Sequence, residues 1–95
     1  MTYQNGEDDR KITIRNKRGL HARASAKFVT LMGEFDAKVT VSKDGTSVCG
    51  TSIMGLMMLA AAIGDQITIK GEGAQKNEAL DAIEALIENK FDEEC

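Results

Sequence analysis

Apolar residues alternate with polar ones from Lys11 to Asn16, with Ile12 and Ile14 on one face, which is the period-two signature of a half-buried strand. Lys17 to Leu20 reads as a loop, in which Gly19 permits a turn that other residues resist. The period then changes. Ala22, Ala26 and Val29 share one helical face, widened by Phe28, Leu31 and Met32, and Gly33 stops the helix. Ala37 to Lys43 alternates again through Ala37, Val39 and Val41, and Asp44-Gly45 is a tight-turn pair leading into a second hairpin arm, Thr46 to Gly50. Thr51 or Ser52 can cap a short helix over Ile53 to Ala62. Ile63-Gly64-Asp65 turns the chain into a strand from Gln66 to Lys70, which Gly71 to Gly73 is expected to break. From Ala74 to Phe91 the positions Ala79, Leu80, Ile83, Leu86, Ile87 and Phe91 recur at helical spacing.

The order is therefore βαββαβα. Strands with one polar face predict a single sheet covered on one side, so the fold expected is an α+β open-faced β-sandwich: a four-stranded antiparallel sheet with three helices on one face. At 95 residues this is one domain. Residues 1–10 are expected to be a flexible N-terminal extension, 11–91 the folded domain, and 92–95 an acidic C-terminal tail that frays. The Ile53–Ala62 helix is apolar almost all round and holds three of the five methionines. It reads either as core or as an adaptable docking patch, since flexible thioethers suit both.

Charge sharpens the picture. The net charge is −3, yet Arg10 to Gly33 contains no acid and holds seven of the twelve basic residues. A positive field on an acidic protein suits a phosphate or an acidic partner surface. It does not suit nucleic acid, because the overall acidity and the 4% aromatic content leave few stacking platforms. No run approaches the ~18 apolar residues of a membrane span, and the N-terminus lacks a signal-peptide plan, so no membrane insertion and a cytoplasmic location are expected. Two cysteines, Cys49 and Cys95, make no disulfide framework, and Cys49 is expected to be buried in its strand.

The positive stretch contains the only histidine, His21, placed where the helix begins. One histidine leaves little for a metal site, and none is expected, nor any cofactor. An imidazole at a helix N-terminus, with Arg23 close by, has the parts of a phosphoryl acceptor: a ring-nitrogen nucleophile, helical amides facing the anion, and a forked guanidinium. A hydrolase using His21 as base would need a nucleophile or carboxylate in the same stretch, and there is none.

Gly19-Leu20-His21-Ala22-Arg23 followed by Ala24-Ser25-Ala26 resembles the active-site motif of the HPr family, the histidine-containing phosphocarriers of the bacterial phosphoenolpyruvate-dependent sugar phosphotransferase system. Ser52-Ile53-Met54-Gly55-Leu56-Met57-Met58-Leu59 resembles the family's regulatory-serine helix, at the family's separation from the histidine. The resemblance spans Arg10 to Phe91. It implies a stoichiometric carrier, not an enzyme: His21 takes a phosphoryl group on Nδ1 from enzyme I and gives it to IIA components, and Arg23 pairs with that group. It also makes Ser52 the site of an HPr kinase/phosphorylase, and places a docking surface at Leu20, Ala22, Lys27, Ile53, Met54 and Met57 of a monomer. A regulatory phosphorelay protein of the nitrogen-related branch is the alternative reading. Where most members have proline after the arginine this chain has Ala24, a change that leaves the imidazole and guanidinium in place and would tell on the transfer rate.

Overall fold

The computed structural model describes residues 9–93. The chain runs β1 (Asp9–Thr13), α1 (Ala22–Met32), β2 (Lys38–Lys43), β3 (Thr46–Cys49), α2 (Ile53–Met58), β4 (Gln66–Glu72) and α3 (Lys76–Glu88), then a short turn at Lys90–Asp92. The sheet order is β1-β4-β2-β3, antiparallel throughout. This is the open-faced sandwich expected from the alternation, with the helices on one face.

The register explains the core. Ile12 stands opposite Ile67 and Val41 opposite Ile69, so the inward face of the sheet is a continuous branched-aliphatic layer. Phe28 of α1, Leu56 of α2, and Leu80, Ile83 and Ile87 of α3 close over it, all essentially without exposure. Each such side chain contributes roughly 1.5–3 kcal/mol by leaving water. Asp44 and Gly45 take φ angles of 51° and 86°, the mirror-image turn whose twist matches a hairpin.

The element boundaries depart from the pattern in several places, each for a local reason. β1 begins at Asp9, inside the stretch expected to be a flexible extension. Asp9 pairs with Lys70 and Arg10 with Ile69, while the Arg10 guanidinium bonds Asp81 at 2.6 Å and Glu84 at 3.1 Å. The rest of that expected extension, residues 1–8, lies outside the described residues. At its other end β1 stops at Thr13 because its partner β4 starts at Gln66. Ile14 instead exchanges backbone hydrogen bonds with the preceding turn, donating to Asp65 and accepting from Gly64, both at 2.8 Å. Gly71 does not break β4, which continues to Glu72. Gly71 sits opposite Val39, and a Cβ there would lie 3.3 Å from the Leu80 side chain, so the missing side chain lets α3 approach.

α2 ends at Met58 instead of Ala62. Ala60 takes a left-handed φ of 53°, and the chain then turns Ala61 inward, where its carbonyl accepts from Leu20 N at 3.0 Å. Cys49 is exposed, not buried: β3 is an edge strand, Val48 takes the inward position, and strict alternation sends Cys49 to the other face. α3 ends at Glu88, yet Phe91 still fills the core. Lys90, Phe91 and Asp92 have φ angles of 57°, 54° and 63°, so the backbone reverses left-handed. Left-handed conformations cost about 1–2 kcal/mol per residue, and burial of the phenyl ring offsets part of that strain.

Candidate functional site

His21 is the N-cap of α1, with extended backbone angles of φ −74° and ψ −178°. The loop that brings it there is fixed from below. Gly19 has φ +65°, and a Cβ on it would fall 2.2 Å from the Ala61 carbonyl oxygen, so only glycine allows the loop to lie against the turn after α2. Leu20 is buried, and Ser25, also buried, donates its hydroxyl to the Leu20 carbonyl at 3.2 Å. Asn16 is fully buried and donates to the Gly19 carbonyl at 2.8 Å.

The imidazole has a defined partner at each nitrogen. Nδ1 accepts from the backbone N–H of Arg23 at 3.3 Å, and Nε2 lies 2.5 Å from Oε2 of Glu93. A backbone amide can only donate, so Nδ1 must carry its lone pair, and in the neutral ring the proton sits on Nε2, facing the carboxylate. Nδ1 thus keeps its lone pair at the positive end of a helix with no acid in its first turn. The exposed Arg23 side chain stands on that same turn.

Glu93 was expected to fray with the tail from Asp92 to Cys95; instead Asp92 and Glu93 are placed against the site, and Glu94 and Cys95 lie outside the described residues. The Glu93 side chain is only 13% exposed and that of His21 16%. Its other oxygen, Oε1, accepts from Asn16 Nδ2 at 3.2 Å. Burial works to raise the Glu93 pKa, but the hydrogen bonds from His21 and Asn16, with the charges of protonated His21 and Arg18, outweigh it and hold the carboxyl below its ordinary range.

Ser52 is the N-cap of α2, its hydroxyl accepting from Gly55 N at 2.9 Å. α1 and α2 pack together, and α2 leaves Ile53 and Met57 40% exposed and Met54 70% exposed. Met58 is exposed as well, and Ala22 is open on the first turn of α1. Two residues expected on this surface are elsewhere engaged. Leu20 belongs to the core, and Lys27 donates from Nζ to the Phe91 carbonyl at 2.8 Å. Asn16 and Glu93 were not anticipated. Asn16 had one faint signal, an amide side chain three residues before a turn glycine, whereas nothing in the tail marks Glu93. Among the described residues no cluster of three or more metal-ligating side chains occurs, and no helix is long and apolar enough to cross a membrane.

An open-faced sandwich that presents one imidazole at a helix start, with the lone pair held on Nδ1 and a partner on Nε2, has the parts of a phosphoryl-carrier domain. Comparison with known proteins agrees. The family profile described as "PTS HPr component phosphorylation site" matches residues 9–89. The phosphocarrier protein HPr of Cupriavidus necator is 52% identical over 84 residues, covering 88% of this chain and 94% of that protein. The phosphocarrier protein NPr of Shewanella violacea is 46% identical over 85 residues, covering 90% and 93%. The crystal structure of HPr-C-His from Thermoanaerobacter tengcongensis superposes with a TM-score of 0.87 at 41% identity, covering 92% of this chain and 98% of that one. The chain belongs to the HPr family of phosphotransferase-system phosphocarriers. Such a carrier is loaded and unloaded stoichiometrically and is not an enzyme.

The depressed Glu93 pKa has a pH consequence. Its carboxylate contributes stability that is fully present above the ordinary value of 4.5 and is lost as pH falls through the lower folded-state value. Chemical denaturation of wild type and Glu93→Gln is expected to show the wild type more stable at neutral pH. The gap should close progressively in acid below pH 4.5; a gap constant down to pH 2 or so would contradict the assignment.

Proposed function

We propose that His21 accepts a phosphoryl group on Nδ1 from phosphorylated enzyme I in the cytoplasm and passes it to IIA components. The observation that carries this reading is the Arg23 amide on Nδ1, which leaves that nitrogen with its lone pair at the start of α1. In the transfer the lone pair forms the N–P bond, the bond between phosphorus and the donor breaks, and its electron pair stays with the donor. The phosphoryl oxygens then meet the first amides of α1 and the Arg23 guanidinium, whose fork matches their geometry. Delivery runs the same chemistry in reverse: a nucleophile of the acceptor forms its bond to phosphorus, the N–P bond breaks, and its electron pair returns to Nδ1.

The exposed face of α2, with Ala22, supplies the docking surface for both partners, and Ile53, Met54 and Met57 are its adaptable contacts. Ser52 lies at the edge of that face as the cap of α2. Phosphorylation there by an HPr kinase/phosphorylase adds a charge of about −1.5 to −2, which the helix start tolerates but an acidic partner must oppose. A second reading has support in the 46% identity to an NPr, which makes a regulatory phosphorelay in the nitrogen-related branch the alternative destination of the same phosphoryl group. Identifying the IIA proteins that accept it separates the two.

Mixing the protein with enzyme I and labelled phosphoenolpyruvate is expected to give label that is acid-labile and base-stable, and none with His21→Ala. Absence of label, or label surviving that substitution, would sink the proposal. For Ser52→Asp, transfer efficiency from enzyme I is expected to fall about tenfold or more through like-charge repulsion at the docking face. Unchanged kinetics in that variant would count against Ser52 as a regulatory position.

A further inference from the structure

The end of the chain supplies the second partner of the imidazole. Phe91 is fully buried, Lys27 Nζ holds its carbonyl at 2.8 Å, and Asn89 Nδ2 donates to Asp92 Oδ1 at 2.6 Å. The left-handed turn is therefore anchored at three points just before Glu93. Both carboxylate oxygens are then taken, Oε2 by His21 Nε2 and Oε1 by Asn16 Nδ2, donors that lie 72 and 77 residues away in sequence. The family match stops at residue 89, so this carboxylate comes from beyond it.

We propose that Glu93 is a positioning residue for phosphoryl transfer: docked by Phe91, its carboxylate accepts a hydrogen bond from the Nε2–H of His21 and fixes the tautomer and orientation in which Nδ1 meets the phosphoryl group. This rests on the reading that His21 is the phosphorylated residue. A carboxylate behind a histidine selects which ring nitrogen is free, as it does for metal-ligating and nucleophile-activating histidines. It also answers the charge that develops. When Nδ1 forms its bond to phosphorus the Nε2 proton stays on the ring, which becomes cationic, and Glu93 already faces that side in a fixed position. The incoming phosphoryl group approaches the opposite nitrogen, on the side of Arg23, so the carboxylate is kept away from like charge. The other charged groups around the pair are Arg18 of the loop, Arg23 and Lys27 of α1, and Asp92, which lies 3.9 Å from Lys27. Three of these four are basic, and Glu93 sets a negative charge directly against the ring among them.

The test uses full-length protein with 15N-labelled histidine, in wild-type, Glu93→Ala and Glu93→Gln forms whose backbone spectra show the native fold. In the neutral, unphosphorylated ring the wild type is expected to show a protonated Nε2 and a bare Nδ1, and Glu93→Ala a mixture of tautomers. Glu93→Gln keeps an oxygen acceptor without the charge, so it should retain the tautomer. In transfer from enzyme I, kcat is expected to fall about tenfold for Glu93→Ala with KM little changed, and Glu93→Gln to recover only part of the loss. Ring signals in Glu93→Ala identical to wild type, or an unchanged kcat, would overturn the proposal. The ring spectra need no partner, so they report on Glu93 even if wild-type protein takes no phosphoryl group, an outcome that would instead remove the reading of His21 itself.

Discussion

The amide of Arg23 can give a hydrogen bond and cannot take one, and from that constraint the chemistry of the site follows. Because the amide points at Nδ1 and the Glu93 carboxylate faces Nε2, the lone pair of the imidazole lies at the positive end of α1 and the ring proton on the other side. Everything nearby serves to hold the ring in that attitude. Gly19 lets the loop press on the Ala61 carbonyl, Asn16 clamps the Gly19 carbonyl, Ser25 clamps that of Leu20, and Leu20 itself is sunk in the core. A site built this way has little freedom to lose when a partner arrives, which is how a small domain can hand on a reactive group without an active-site cleft.

The sheet and helices contribute by placing the start of α1 beside the turn that follows α2. β4 lies between β1 and β2, so the chain segments before α1 and after α2 meet at one end of the sheet, and the contact between Leu20 and Ala61 joins them. That arrangement sets His21 beside a helix whose outward methionines are not needed by the core. The apolar excess of the Ile53–Met58 segment is thereby explained: Leu56 alone faces inward, and the large side chains around it remain on the surface. A core already filled from α1, α3 and the sheet leaves them nowhere to go.

Most of this was legible in the sequence because it depends on local period. Ile12, Val39, Val41, Ile67 and Ile69 alternate, and they line the inner face; Asp44-Gly45 demands a mirror-image turn and makes one; Ser52 precedes an apolar run and caps it. What sequence could not show depends on contacts between distant residues or on position in the sheet. Cys49 lies in a strand, but only pairing reveals that the strand is an edge. Gly71 resembles a breaker, but opposite Val39 and beneath Leu80 its small size is what the packing requires. Glu93 sits in an acidic tail with every compositional mark of a frayed end, and the left-handed reversal that brings it to His21 occurs at three non-glycine residues that give no warning of it.

The central claim is that Nδ1, not Nε2, is the reacting nitrogen of His21. It is tested most directly by phosphorylating 15N-histidine-labelled protein with enzyme I and phosphoenolpyruvate and observing the coupling between phosphorus and the ring nitrogens. Coupling to Nδ1, with the proton retained on Nε2, is the predicted result. Phosphorus coupled to Nε2 would contradict the account, because that nitrogen is the one the structure closes off with Glu93.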